Sequence, residues 1–227
     1  MERTVNEALV IYVMKCLIVV MAHAAAQSTF NRHLRFWESH GQDIVVFSPQ
    51  DAVVRTKHPV IAWGTASHHD AMANERFFRM LEIISRMNYD RFCINEYDSL
   101  CFSPEIPYTE DGYLWANSWK NEDPSFSGEW YFHPPLIMCN RVLKRIVQAC
   151  KDVPFSSEKG FWDRYLGIVV QKYGIGFGTY NEQGFSRNTI EIQDLPAAMN
   201  ARRNGAVLFH GIKDASTLAG LEGACSL

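Results

Sequence analysis

No CxxC pair occurs in this chain, and its six cysteines (Cys16, Cys93, Cys101, Cys139, Cys150, Cys225) follow no metal-type or disulfide-framework spacing. Most lie inside apolar patterns and read as reduced, buried thiols, which points to a cytoplasmic protein. A basic surplus is also missing. The 22 Lys and Arg against 25 Asp and Glu leave a net charge of −3, which argues against broad, nonspecific nucleic-acid binding. No stretch is both long enough and uncharged enough to be a transmembrane segment. Internal repeats and low-complexity tracts are absent, so solenoid architectures drop out.

What remains is a 227-residue chain, 47% hydrophobic, able to bury the core of one large domain. Residues 1–13 read as an N-terminal extension. Residues 14–26 imitate a signal peptide, with a charged start, a short apolar run and small residues, but His23 interrupts the small-residue tail. The segment reads instead as a first buried strand, residues 16–21, and a turn. Residues 27–40 carry Phe30, Leu34 and Trp37 at helical spacing, and Gly41 stops them. Residues 43–47 form a second buried strand, giving a parallel strand–helix–strand crossover. Residues 60–63 make a short third strand. His68, His69 and Asp70 lie in a polar loop where Asp70 caps the next helix. That helix, residues 71–87, has an apolar stripe of Phe77, Phe78, Leu81, Ile84 and Met87.

The next strand, Phe92-Cys93-Ile94, ends in two carboxylates, Glu96 and Asp98. In extended chain both side chains leave on one side. Paired anions at the end of a buried strand are costly without a cation, and a divalent metal suits oxygen ligands. Residues 103–135, rich in proline and carrying Trp115, Trp119 and Trp130, read as aromatic loops around a site rim. Helices follow at residues 140–150 and 161–173, the second with Asp163 off its apolar stripe. Gly174, Gly176 and Gly178 read as a C-cap and turn, and residues 194–203 as a short helix. A last strand, residues 206–209, leads into His210-Gly-Ile-Lys213, and residues 215–227 form a small, polar, loosely held tail. A histidine tilts the metal choice towards Mn²⁺ over Mg²⁺, and a lysine beside a metal answers the charge of a departing diphosphate.

The Glu96-Tyr97-Asp98 and His210-Gly-Ile-Lys213 segments, on a first βαβ half, resemble the motifs of nucleotide-sugar-dependent glycosyltransferases of the GT-A fold, small single-domain viral or bacterial types among them. The likeness spans residues 14–214. It implies an α/β single-domain fold with a mostly parallel central sheet flanked by helices. It also implies transfer of a sugar from a nucleotide-diphosphate donor, UDP-linked, to a saccharide or glycan hydroxyl with Mn²⁺ or Mg²⁺. In such an enzyme Asp98 and His210 are metal ligands. Glu96 stands where the family has Asp, and acts on the metal, through water or on the ribose. Ala22 and His23 lie along the nucleoside, Ser48 and Asp51 near the base or ribose, and Asn74 and Arg76 towards the donor's phosphate or sugar. Lys213 meets the diphosphate, and Asp163 serves as general base if the reaction inverts, or as a hydrogen-bonding group if it retains. Two other classes share parts of this pattern: a metal-dependent nucleotidyltransferase or hydrolase, and a non-catalytic carbohydrate-binding protein. The first would carry further acidic ligands or a Gly-rich basic loop after the first strand, where this chain is Ala-rich.

Overall fold

The apolar run CLIVVM forms β1 (Cys16–Met21), and its side chains dictate the layering. Leu17, Val19 and Met21 enter one hydrophobic core while Ile18 and Val20 enter another, because successive strand side chains leave on opposite faces. A strand covered on both faces is apolar throughout rather than alternating. Burying each branched side chain here contributes about 1.5–3 kcal/mol relative to exposure. The computed structural model describes residues 14–22, 27–50, 54–63, 73–101, 112–120, 129–153, 162–179, 195–205, 208–209, 211–212 and 214–223.

Helix α1 (Gln27–Ser39) covers the second core with Phe30, Leu34 and Trp37. It stops at Gly41, whose φ of 66° is free of β-carbon strain. The Gly41 amide donates to the Glu38 carbonyl and the Gln42 amide to that of Trp37, the paired bonds of a Schellman end. β2 (Asp43–Ser48) pairs in parallel with β1, and β3 (Val60–Ala62) in parallel with β2. α2 (Ala73–Ile84) then returns over the first core, burying Phe77, Phe78, Leu81 and Ile84. β4 (Arg91–Glu96) pairs in parallel with β1 on the flank away from β2. The connections leaving β1 and reaching β4 thus diverge at that pair of strands.

The remaining elements are β5 (Leu100–Cys101), β6 (Tyr113–Lys120), β7 (Trp130–Cys139), α3 (Asn140–Cys150), α4 (Trp162–Lys172), β8 (Gly176–Thr179), α5 (Leu195–Arg203), β9 (Leu208–Phe209) and α6 (Ala215–Gly223). The sheet runs β3-β2-β1-β4-β7-β6-β8, mixed but mostly parallel, with β7 antiparallel to both neighbours. α2, α3 and α4 contribute to the first core. β5 and β9 pair apart from this sheet, and with α5 and α6 they enclose a third core of Leu100, Ala198, Phe209, Ile212 and Leu221.

Four sequence expectations change. Residues 103–135, read as loops, hold β6 and the start of β7, two internal strands of the main sheet, and Trp115 is buried beneath β8 rather than on a rim. The Gly176 and Gly178 turn is instead the edge strand β8. The Trp115 ring lies so close over Gly178 that a β-carbon there would meet it at 2.6 Å, so the glycine makes room for the aromatic ring. The tail after residue 214 forms α6, whose Thr217 and Leu221 are buried and whose first turn is capped by Asp214 through the Ser216 and Thr217 amides. The last strand, described at Leu208 and Phe209, joins β5, not the main sheet. Among the described residues no helix is long and apolar enough to cross a membrane.

Candidate functional site

Parallel strands deliver their carboxyl ends to one edge of the sheet. In register, Met21 of β1 stands beside Phe47 of β2 and Glu96 of β4. Ala22 continues β1, its amide donating to the Phe47 carbonyl at 2.7 Å, and the Tyr97 amide donates to the Met21 carbonyl at 2.9 Å. The connections diverge between β1 and β4, and in open α/β sheets that is where the crevice outside the strand ends takes ligands.

Glu96 closes β4, and the chain turns at once: the Ser99 amide donates to the Glu96 carbonyl at 3.1 Å. The two carboxylates therefore belong to a tight turn, not to extended chain, and the same-side argument drawn from strand periodicity does not apply to them. Glu96 is half-buried and Asp98 is 3% exposed. Between them Tyr97 has its phenol pKa raised to about 12, first by burial and then by the negative charges of Asp98 and Glu96. The corner is thus electronegative and poorly solvated.

A pocket at this corner is lined by Met21, Trp63, Arg76, Phe77, Glu96, Tyr97 and Trp162. Arg76 comes from α2, and Trp63 follows β3 with its amide on the Ser48 carbonyl. Trp162 opens α4 and stacks on Phe77, ring centroids 4.2 Å apart and planes 17° from parallel. One guanidinium, one carboxylate and two indoles around one crevice make a surface that can hold a flat ring and an anionic group together.

The turn has a second neighbour. Leu100 pairs with Phe209, and the Ile212 amide donates to the Asp98 carbonyl at 3.0 Å. The described residues on either side of His210 are therefore laid along the carboxylate turn. His210 and Lys213 themselves lie outside the described residues, as do His23, Asp51, His68, His69, Asp70 and the side chains of Asn74 and Trp119. Ser48 ends β2 at the same edge, buried, its hydroxyl donating to the Pro49 carbonyl at 3.2 Å.

Asp163 departs from the expectation that it sits off the apolar stripe. It is 7% exposed, on the inner face of α4, with one carboxylate oxygen 3.3 Å from His133 Nε2 and the other accepting the Arg164 amide at 2.8 Å. It does not line the pocket; its neighbour Trp162 does. Behind the turn, His33 of α1 is fully buried, and burial pushes its pKa down to about 4, opposed by the Ser99 backbone and assisted by Arg32. The imidazole is neutral at pH 7.

Trp63, Trp162 and His133 escaped the sequence reading. The signal for Trp63 was its place directly after a strand that runs to the carboxyl edge of the sheet. His133 lay within the stretch taken for loops.

Among the described residues no group of three or more His, Cys, Asp or Glu is arranged to hold a metal. The donors that are present, a buried and a half-buried carboxylate on one turn, fit a hard divalent cation. The α/β class is defined by this sheet; no protein-family model matches the chain, and comparison with curated proteins finds no match.

Proposed function

We propose that this chain is a metal-dependent glycosyltransferase of GT-A type, cytoplasmic, which moves a sugar from a nucleotide-diphosphate donor, UDP-linked, to a saccharide or glycan hydroxyl. One observation carries the reading: the Glu96–Asp98 turn stands at the carboxyl edge where β1 and β4 diverge, and the backbone flanking His210 runs against it. Asp98, with Glu96 and His210, would hold Mn²⁺ or Mg²⁺. When bound, the metal would neutralise charge on the departing diphosphate.

The chain's own residues supply the rest. Arg76 reaches into the pocket and suits a phosphate oxygen, and Lys213 adds a second cation from the segment beyond Ile212. In this reading Ala22, His23, Ser48, Asp51 and Asn74 would serve the nucleoside and donor. Trp63 and Trp162 offer faces to a base or a pyranose. Asp163, with a carboxylate oxygen 3.3 Å from His133 Nε2 and next in sequence to the pocket residue Trp162, would serve the acceptor hydroxyl as base or hydrogen-bond acceptor.

Thermal-shift titration with UDP and GDP, each with and without Mn²⁺, tests the proposal. The expected result is stabilisation by a nucleotide diphosphate that requires the metal. Stabilisation by free saccharide alone, indifferent to nucleotide and metal, would identify a carbohydrate-binding protein and overturn it.

A further inference from the structure

α3 carries its charge in an unusual way. Its buried side is Val142, Leu143, Ile146, Ala149 and Cys150, and its exposed side is Arg141, Lys144, Arg145 and Gln148, with exposed Lys151 at the C-cap. Residues 140–151 contain no acid. Neighbouring α2 shows the ordinary alternative, an exposed face of mixed sign in which Arg86 pairs with Glu82 four residues away. On α3 the i,i+3 and i,i+4 neighbours Arg141, Lys144 and Arg145 repel one another, and Arg141 sits in the first turn, where the helix dipole disfavours a cation. In a chain of net charge −3, this like-charged face works against the helix that bears it.

Among the described residues, the acids at this end line a different groove or accept hydrogen bonds from other partners. Glu75 and Glu82 line the groove between α2 and α3 together with Arg79 and Lys151. Asp152 accepts the Tyr173 hydroxyl at 3.3 Å, Asp43 accepts that of Tyr89 at 3.0 Å, and Asp90 accepts the Lys15 amide at 2.8 Å. That leaves Arg141, Lys144 and Arg145, which with Asn140 and Gln148 line one open concavity of about 500 Å³.

Two exposed apolar side chains share this end of the molecule. A β-carbon on Gly112 would lie 3.5 Å from Arg141 Nη2, and Tyr113, 40% exposed, follows it on the Trp115 side of β6, the face of the sheet away from α3. Register places Cys16, Arg91 and Cys139 in one row across β1, β4 and β7, at the sheet edge opposite the candidate site. Met14, 49% exposed, lies at the same edge.

We propose that α3 docks on an anionic phospholipid bilayer surface through Arg141, Lys144 and Arg145. A helix lying tangentially to a plane meets it with all three cations at once, and each cation adds to its attraction for an anionic headgroup layer. Single-stranded nucleic acid is the weaker fit: base stacking needs a series of aromatic faces, and the exposed face of α3 has none. The proposal is independent of the activity assigned above.

Flotation of the full chain with phosphatidylcholine vesicles, with and without phosphatidylglycerol, reads it directly, alongside oligonucleotide anisotropy as a rival arm. The expected result is recovery only with phosphatidylglycerol and loss of recovery at high salt. Replacing Arg141, Lys144 and Arg145 by Gln should weaken partition on the order of 100-fold, at about five-fold per cation, with an unchanged circular dichroism spectrum. Should that triple variant misfold, Lys144→Gln alone should weaken partition about five-fold. Equal recovery on neutral and anionic vesicles, no loss in a folded variant, or tighter binding to the oligonucleotide than to vesicles would overturn it.

Discussion

Gly167 is the most exacting point in the packing of α4 on the sheet. A β-carbon there would stand 1.8 Å from the Trp130 carbonyl oxygen and 2.7 Å from its carbon. Carbon–carbon contact is comfortable near about 3.5–4.0 Å, so alanine would force helix and strand apart by more than about 1 Å. In an exposed helix the same substitution gains about 1 kcal/mol. Here the obstacle is backbone of β7, which cannot swing aside as a side chain does. Overpacking of this kind costs about 1–3 kcal/mol, occasionally more, and it displaces Tyr165, Leu166, Val169 and Val170, which are fully buried on the same helix. We expect Gly167→Ala to destabilise by about 2 kcal/mol net, lowering the melting temperature by about 4–8 °C. Gly223 on α6 has nothing within 4 Å of such a β-carbon and serves as the control, neutral or slightly stabilised as alanine. Urea unfolding followed by circular dichroism measures both. A Gly167→Ala protein as stable as the parent would refute the seating of α4 on β7, and with it the position of Trp162 and Asp163.

His33 predicts an acid sensitivity. Folded, its pKa is about 4; in the unfolded chain it returns to about 6.5, so its contribution is fully present above pH 6.5 and is lost as pH falls towards 4. That is about 3 kcal/mol in full, and denaturant unfolding of His33→Gln should lack this component of the pH dependence. Asp214→Ala should cost about 1 kcal/mol by removing the α6 cap. Hydrogen bonds from Ser216 and Thr217 hold the Asp214 carboxyl down to about pKa 2, so its share persists above pH 4 and fades between pH 4 and 2 in acid melts. Arg76→Ala should weaken metal-dependent UDP binding in calorimetric titration about 10- to 100-fold, as loss of a charge-assisted phosphate bond does.

The first half of the fold is legible because its signals are redundant. β1 is an unbroken apolar run and β4 has an apolar centre of Phe92, Cys93 and Ile94, α1 and α2 keep helical spacing, and Gly41 stops α1 where a positive φ is needed. The middle was misread because proline argues against an internal strand, yet Pro134 and Pro135 lie within β7. Tertiary context overrides the punctuation: Leu136, Ile137 and Met138 pair with β4. β8 was hidden because its glycines leave the packing to rings on β6. The candidate site was half legible. Carboxylates after a buried strand can be read from spacing, but the turn at Tyr97, the approach of Ile212 and the walls of Trp63 and Trp162 arise from non-local pairing. Asp163 looked exposed because helical spacing set it off the stripe, while its partner His133 lies in a strand that spacing did not reveal.

On the proposed function, the Glu96–Asp98 turn binds a nucleotide diphosphate through a divalent cation. Calorimetric titration of UDP into the intact chain and into Asp98→Ala, each with and without Mn²⁺, measures this most directly. Binding is expected to the parent only with Mn²⁺ and not to Asp98→Ala, at unchanged circular dichroism. Equal UDP binding by parent and variant, or no binding by the parent with the metal present, would contradict it.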